Sequence, residues 1–295
     1  MRFDPLAFLK HQNRLQRTAS YQLTALRGGY WNTVYRLRGP DVDWVVKIYS
    51  AARPPTLFPI LPEAEALALQ TLTGIAIAPA FVAFFPAQKG QNPDLLIYEY
   101  LTGDTWNAGV EPVAQLLHQL HQIPAEHCTG WRPLATQPAD LLAAGDALLD
   151  GAGSGPEARA LRARRPAIRP VPPLPAPSPV HGDSGTGNLV VTPAGLRLID
   201  WQCPGLGDPA EDLNCFLSPV FQSLYNHPPL SLREVDAFLA SYPNQATVAR
   251  YLALRPYLTY RMAAHCCLQA ETRRETDPAA GAAYEKALQI SLDLL

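Results

Sequence analysis

Between residues 181 and 200 the sequence brings two carboxylates and a carboxamide close together. Residues 181–188 read HGDSGTGN, and the strand-like segment LRLID that follows ends in Asp200. Phosphoryl transfer needs a carboxylate that orients and deprotonates the incoming hydroxyl group, and oxygen ligands that hold Mg²⁺ against the phosphates. We therefore predict Asp183 as the catalytic base, and Asn188 and Asp200 as the Mg²⁺ ligands. Ordinary turn-forming roles for Asp183 and Asn188 in a glycine-rich loop are the alternative.

A lysine inside an apolar strand is the second chemical signal. Lys47 lies in the run WVVKIY, where an ammonium group is costly to bury unless an anionic group meets it. In kinases such a lysine contacts the α- and β-phosphates of ATP and is held by a glutamate of the next helix. Glu63 and Glu65 are the candidates, and we favour Glu65 from the apolar, glycine and proline positions that follow it. An exposed edge-strand position for Lys47 is the alternative.

A glycine pair precedes this strand. Gly28 and Gly29 separate two strand-like segments, and Asn32 follows them. Paired glycines let the backbone approach phosphate oxygens, although they also form ordinary hairpin turns. Because the pair lies one strand before Lys47, we predict that Gly28, Gly29 and Asn32 contact the phosphates of ATP.

The elements that must position these residues begin with a small sheet. Residues 21–49 read as three strands separated by glycine turns, which predicts an antiparallel meander. Residues 62–74, PEAEALALQTLTG, predict a helix with an acidic first turn and a terminal glycine. Two apolar strands follow around residues 81–85 and 95–98. The prediction is an α+β protein whose residues 1–101 form an antiparallel sheet with one helix.

The chain then becomes mainly helical. The last strand, LIYEYL, runs into Gly103, and we predict it as a hinge at which Glu99 and Tyr100 contact the adenine of ATP. The segments VAQLLHQLHQI and DLLAAGDALLD have helical spacing, and long helices follow Pro209. Between them, RRPAIRPVPPLPAPSPV predicts an extended surface segment. Short strands VHGD and LRLID flank the glycine-rich loop, so residues 102–295 are predicted as the second domain.

Composition excludes several classes of protein. The 295 residues are 47% hydrophobic and 17% charged, which predicts a folded chain, and no apolar run approaches the ~20 residues of a membrane helix. A net charge of −2 argues against a nucleic-acid partner. The N-terminal residues lack the apolar core of a signal peptide, and the five cysteines show no zinc spacing. We therefore expect reduced thiols, no membrane partner and a cytoplasmic location.

Seven segments resemble, in order, the motifs of the aminoglycoside phosphotransferase and choline kinase-like family, a branch of the protein-kinase-like fold: GGYWNTVYRL, VVKIY, EAEALALQTLTGIAIAP, LLIYEYLTGDTW, LLHQLHQIP, VHGDSGTGNLVV and LIDWQCPGLGDPAEDL. The resemblance covers nearly the whole chain. It implies a bilobal kinase that binds ATP between an N-lobe and a larger helical C-lobe, with the same lysine, base and metal ligands. It also implies that Asp208 and Asp212 fix the loop behind the metal site.

The chain departs from the family pattern around the loops. Ser184 and Gly185 stand after Asp183, where the family usually has a bulkier pair. Gln202 replaces a frequent glutamate, and Trp31 replaces a small hydroxyl residue before the asparagine of the glycine loop. None of these changes removes a metal ligand, so we expect them to alter substrate preference or rate rather than the reaction.

Two further groups of residues were considered as ligands. His118 and His121 lie one helical turn apart, and we predict core packing for them because no third metal ligand is near. Tyrosines late in the chain could receive a cationic amine on their rings, although most are expected in the core: Tyr225, Tyr242, Tyr251, Tyr257 and Tyr260.

These observations predict an ATP-dependent kinase that transfers the γ-phosphate to a hydroxyl group of a small molecule. By resemblance the acceptor is a choline-, ethanolamine- or thiamine-like amino alcohol or an aminoglycoside-like sugar, and the sequence leaves this choice and the oligomeric state open. A nucleotide-binding pseudokinase is the alternative, but it would lack one of the key residues. A protein kinase would need an activation segment, whereas GDPAEDL follows Asp200 within a few residues.

Overall fold

A computed structural model of the chain describes residues 3–26, 32–51 and 55–295. Its strands are β1 Gln22–Ala25, β2 Thr33–Arg38, β3 Asp43–Ile48, β4 Phe81–Phe85, β5 Leu95–Glu99, β6 Asp104–Thr105, β7 Ser178–Val180, β8 Leu189–Thr192, β9 Gly195–Leu198 and β10 Gly205–Gly207. Its helices are α1 Pro5–His11, α2 Pro62–Thr71, α3 Val110–His121, α4 Pro138–Ala152, α5 Pro156–Ala163, α6 Ala210–Leu217, α7 Pro219–Leu224, α8 Leu232–Ser241, α9 Gln245–Arg273 and α10 Pro278–Leu294. A sheet followed by helices confirms the predicted α+β class.

The first five strands form one antiparallel sheet in the order β1-β2-β3-β5-β4. Successive side chains of a strand point to opposite faces, and the central strands β3 and β5 are buried on both. Val45 and Leu96 face the large core cluster that includes α2, whereas Val46 and Ile97 face a smaller second cluster. The predicted meander, the helix that begins at Pro62 and the two later strands are confirmed.

The second face of the sheet is covered by α1, a helix that the sequence analysis did not predict. Asp4 caps it, because its Oδ1 accepts hydrogen bonds from the backbone N–H groups of Leu6 and Ala7 at 2.9 and 3.1 Å. Its Leu9 is fully buried in the second cluster. The prediction of one helix on the sheet was therefore incomplete, since seven residues are too few for a clear helical period.

The helical region is built around α9, which is 29 residues long and carries a nearly continuous run of buried side chains from Tyr257 to Ala270. The helices α4 and α10 pack along it, and α6 crosses it. The predicted extended surface segment, residues 164–180, contains no helix or strand from residue 165 to residue 177. Its last three residues instead form β7, in which Pro179 and Val180 are buried. Within the described part of the chain, no helix combines the length and apolar character that a membrane span requires.

The two strands predicted on either side of the glycine-rich loop do not pair with each other. The strand VHGD ends at Val180 and pairs with β10, while LRLID ends at Leu198 and pairs with β8. Asp183 and Asp200 therefore follow their strands in loops, and Asp200 has a positive φ of 62°. The additional strand β8 begins directly after Asn188. A two-stranded sheet, β10-β7, and a three-stranded sheet, β6-β8-β9, therefore carry the two loops.

Candidate active site

Lys47 and Glu65 form a buried ion pair. Lys47 lies on the face of β3 that also carries Val45 and Tyr49, and α2 covers this face. Its Nζ donates to Oε2 of Glu65 at 2.7 Å, and Tyr49 donates its hydroxyl hydrogen to the same oxygen at 2.6 Å. Glu63 is exposed on the same helix. The choice of Glu65 as the partner therefore agrees with the geometry.

The same lysine also contacts Asp200. Lys47 Nζ donates to Oδ1 of Asp200, whose side chain is 36% exposed, whereas the lysine side chain is 3% exposed. Burial opposes the positive charge of Lys47, but the nearby carboxylates of Asp200 and Glu65 outweigh it and raise its pKa above the ordinary value. Lys47 is therefore a permanent cation that joins the sheet to the loop of Asp200.

Asp183 lies in the tight loop after β7. The residue before it, Gly182, has a φ of 78°, and a Cβ there would lie 2.5 Å from the carbonyl oxygen of Cys203. Asp183 is 9% exposed, and burial, followed by the negative charge of Asp200, raises its pKa to about 8. A carboxylate with a raised pKa is a stronger proton acceptor than an ordinary one.

Asp212 fixes the backbone of this loop by hydrogen bonds. Its Oδ2 accepts from the backbone N–H of His181 at 2.8 Å, and its Oδ1 accepts from that of Gly182 at 2.9 Å. The ring of His121 bonds to Asp212 through Nε2 and to Tyr242 through Nδ1. Burial alone would raise the pKa of Asp212, but the hydrogen bond and charge of His121 outweigh burial and lower it. His121 thus serves the loop rather than a metal pair with His118.

Asp208 has a comparable structural position. It is buried, its Oδ1 accepts from the backbone N–H of Ala210 at 3.0 Å, and its Oδ2 accepts from the guanidinium group of Arg250. Arg250 also donates to the carbonyl groups of Thr136 and Pro172, and so anchors the proline-rich segment. Asp208 therefore fixes the start of α6, in line with the role implied by the resemblance.

Asn188 links the base to the loop of Asp200. Its Nδ2 donates to the backbone carbonyl of Asp183 at 2.8 Å and to the hydroxyl oxygen of Tyr225 at 2.9 Å. The backbone carbonyl oxygen of Asn188 accepts a hydrogen bond from the backbone N–H of Ile199 at 2.9 Å. Because Nδ2 makes both of these side-chain hydrogen bonds, the amide oxygen is the atom left for a metal. An amide oxygen and the half-exposed carboxylate of Asp200 form a donor set that suits Mg²⁺.

The remaining predicted nucleotide contacts are less well supported. Gly28 and Gly29, like Trp31, lie outside the described residues. Asn32 donates from Nδ2 to Oε1 of Gln202 at 3.3 Å. The N–H groups of Glu99 and Tyr100 donate within the sheet to Ala80 and Asp43, so these donors are not available to an adenine. A backbone contact from either residue would have to use a carbonyl oxygen, and the contact with adenine stays a prediction.

Tyr225 is the site residue that the sequence analysis did not assign. Its hydroxyl group donates to Oδ1 of Asp183 at 2.9 Å. The sequence analysis grouped it with four other tyrosines as possible ring partners for an amine. The four others are buried in the core: Tyr242, Tyr251, Tyr257 and Tyr260. The glycines that follow Asp183 were the available signal, because they leave room for a ring.

A cavity of about 200 Å³ lies beside Gly182 and so adjoins the loop of Asp183. Arg132, Arg261, Glu211 and Phe221 are among the residues that line it. Arg261 and Glu211 form an ion pair within it, and Arg132 adds an unbalanced positive charge. Asp183 itself is not among the lining residues, so the cavity adjoins the loop of the predicted base rather than its carboxylate, and its lining is not strongly acidic.

Comparison with known proteins identifies the family of this chain from its amino-acid sequence. The sequence model of the phosphotransferase enzyme family matches residues 22–257. Thiamine kinases from Salmonella paratyphi B and Salmonella typhimurium are 39% identical over 126 residues, which are 41% of this chain. The match spans 42% of the length of these thiamine kinases, less than half of each protein.

Two solved structures share the fold along nearly the whole chain. A spectinomycin phosphotransferase in complex with ADP and spectinomycin has a TM-score of 0.62 and 13% identity, with 100% of both chains covered. A choline/ethanolamine kinase family protein from Mesorhizobium loti has a TM-score of 0.60 and 16% identity, with 95% of this chain and 89% of that chain covered. These likenesses show the bilobal protein-kinase-like fold.

Proposed function

This chain belongs to the phosphotransferase enzyme family, and we propose that it is an ATP-dependent kinase that phosphorylates a hydroxyl group of a small molecule. One observation carries the proposal. The ammonium group of Lys47 lies between the carboxylates of Glu65 and Asp200, while Asn188 ties the loop of Asp200 to that of Asp183. These contacts support one connected site, in which Lys47 would serve as the phosphate-binding cation, Asn188 and Asp200 as the metal ligands and Asp183 as the base.

The proposed roles follow from the positions of the side chains. Lys47, held by Glu65, binds the α- and β-phosphates of ATP. Asn188 and Asp200 hold Mg²⁺, which when bound neutralises charge on the phosphates. Residues 1–101 form the lobe that clamps the nucleotide, and residues 102–295 form the lobe that carries the base and the acceptor. The ADP in the spectinomycin phosphotransferase structure supports a nucleotide site in this fold.

The chemical step uses Asp183 as the proton acceptor. Its carboxylate orients the acceptor hydroxyl and takes its proton as the oxygen forms a bond to the γ-phosphorus. The bond from that phosphorus to the bridging oxygen breaks at the same time, and the electron pair leaves with ADP. The pKa of about 8 applies to the protein without metal or nucleotide. Mg²⁺ held by Asn188 and Asp200 would lower this pKa, so that the carboxylate is ionised when it accepts the proton.

We propose a small alcohol that is not a polycation as the acceptor, with thiamine, which carries a single positive charge on its thiazolium ring, as the first to test. The cavity beside Gly182 has two guanidinium groups and one carboxylate among the lining residues Arg132, Arg261 and Glu211, so it does not favour a polycationic aminoglycoside. The 39% identity to thiamine kinases over 126 residues supports thiamine. A pseudokinase is disfavoured because the lysine, the base and both predicted metal ligands are present.

The test is ADP release from MgATP with a panel of acceptors: thiamine, choline, ethanolamine, methylthioribose, homoserine and several aminoglycosides. We expect one acceptor to stimulate ADP release and the Asp183→Asn enzyme to lose this stimulation. If no acceptor stimulates release but MgATP raises the melting temperature, the pseudokinase alternative is favoured. If MgATP does not bind, the proposed function is wrong.

A further inference from the structure

The hydroxyl group of Tyr225 sits between two residues of the proposed site. It donates to Oδ1 of Asp183 and accepts from Nδ2 of Asn188, and both distances are 2.9 Å. One oxygen atom is thus the shared partner of the base and of a metal ligand. Hydrogen bonds to a carboxylate are among the stronger ones, so this bridge can hold both side chains in one orientation.

The loop that carries Asp183 is shaped to receive the tyrosine ring. A Cβ on Gly185 or on Gly187 would lie 2.2 Å from an atom of the Tyr225 ring. Neither glycine has a positive φ, and Gly185 has a φ of −65°, which any residue can adopt. The two glycines are therefore needed for space rather than for backbone conformation. This explains why small residues stand after Asp183 where the family usually has bulky ones.

The backbone that carries the Tyr225 ring is also fixed by hydrogen bonds. Tyr225 ends α7, and its N–H donates to the carbonyl of Phe221 at 3.0 Å. The buried side chain of Gln222, which is 1% exposed, fixes the segment after Tyr225. It donates a hydrogen bond to the carbonyl oxygen of Phe216 and accepts one from the backbone N–H of Leu230. A side chain fixed at its backbone and by its hydroxyl group is suited to position other groups.

We propose that Tyr225 is a positioning residue of the phosphotransferase site, which holds the carboxylate of Asp183 and the amide of Asn188 in the orientations that the reaction needs. Its bond to Oδ1 leaves Oδ2 of Asp183 to accept the proton of the acceptor hydroxyl. Its bond to Nδ2 leaves the amide oxygen of Asn188 for the metal. This role rests on the proposed kinase function.

The first test compares two tyrosine-to-phenylalanine variants. Tyr225→Phe removes the bridging hydroxyl and keeps the ring. Tyr260→Phe is the matched control, because Tyr260 also donates to a carboxylate, Oδ1 of Asp146 at 2.8 Å, away from the site. We expect Tyr225→Phe to lower kcat on the order of 10–100-fold with little change in the KM for ATP. Tyr260→Phe should keep the wild-type kcat.

The second test is a double-mutant cycle between the ring and the loop. Gly185→Ala alone should lower both kcat and the melting temperature, because its methyl group displaces the ring. In a Tyr225→Ala background the same change should have little further effect, since the space is empty. Equal effects of Gly185→Ala in both backgrounds would show that the glycine does not serve the ring.

The outcomes separate the two proposals. If Tyr225→Phe keeps kcat within about twofold of wild type while Asp183→Asn is inactive, the kinase function stands and the role of Tyr225 is wrong. The same conclusion holds if Tyr225→Phe and Tyr260→Phe lower kcat equally. If the unsubstituted protein turns over no acceptor, the kinase function fails, and the positioning role fails with it.

Discussion

The ammonium group of Lys47 contacts the carboxylate of Asp200, although the two residues are 153 positions apart in the sequence. Lys47 comes from the sheet and Asp200 from the loop after β9, so the contact joins the two structural parts of the chain. The same ammonium group bonds to the buried Glu65. A single cation is therefore shared by two carboxylates, and the stability of this region depends on it.

Replacing Lys47 should destabilise the protein as well as weaken nucleotide binding. Lys47→Met leaves the fully buried carboxylate of Glu65 without its cation, and breaking a buried pair in this way costs about 3–5 kcal/mol. Adding Glu65→Gln should restore part of the loss, because the neutral amide is cheaper to bury. Urea unfolding of the wild type, the single variant and the double variant measures the free energy of unfolding that is lost and the part that is restored. A Lys47→Met protein as stable as wild type would contradict the ion pair.

Asp183→Asn should abolish turnover and preserve nucleotide binding. The amide keeps the shape of the side chain but cannot accept the proton of the acceptor hydroxyl, so kcat should fall by several orders of magnitude. Asp200→Ala should instead weaken Mg²⁺-dependent binding of ATP, because it removes a proposed metal ligand. Steady-state kinetics and calorimetry distinguish the two effects. Wild-type turnover in both variants would show that the assignment of the site is wrong.

The raised pKa of Asp183 gives a pH-dependent prediction for the nucleotide-free protein. Its pKa is about 8 when folded, against 3.8 as the ordinary value. Between these values the folded state keeps a proton that the unfolded state releases, so wild-type stability is progressively lost as pH rises from about 4 to about 8. The Asp183→Asn variant has no titrating group at this position, so it lacks this pH-dependent loss of stability. We expect the variant to gain stability relative to wild type as pH rises, as measured by urea unfolding at several pH values.

A constant difference between the two proteins across this pH range would contradict the raised pKa. All other titratable groups are shared, so the difference in free energy of unfolding isolates Asp183. The hydrogen bond from Tyr225 is kept in the variant, because an amide oxygen can also accept it.

Gly182 and Gly90 allow a matched test of the loop before Asp183. Both have a φ of 78°, so alanine at either position has the same backbone strain, about 1–2 kcal/mol. A Cβ on Gly90 meets nothing within 4 Å, whereas one on Gly182 lies 2.5 Å from a backbone oxygen. We therefore expect Gly182→Ala to destabilise the protein clearly more than Gly90→Ala does. Equal costs in thermal unfolding would mean that the loop can shift without penalty.

Local patterns were sufficient for most of the elements and for the chemistry of the site. Apolar segments between glycine turns predicted the strands of the sheet, and the proline and acidic first turn predicted α2, because these signals depend on neighbouring residues only. The spacing of Asp183, Asn188 and Asp200 identified a plausible phosphotransfer set. The same reading could not find α1, nor the pairing of β7 with β10, since strand partners depend on distant parts of the chain.

The amino-acid sequence by itself determined which residue types are present for the chemistry, namely Lys47, Asp183, Asn188 and Asp200. Only the tertiary structure decided their partners. Packing of α2 on the sheet turns Glu65 inward, toward Lys47, and leaves Glu63 exposed. Tyr225 reaches Asp183 from 42 residues away because α7 ends against the glycine loop. Such contacts depend on how elements pack in three dimensions, and no short sequence pattern encodes that packing.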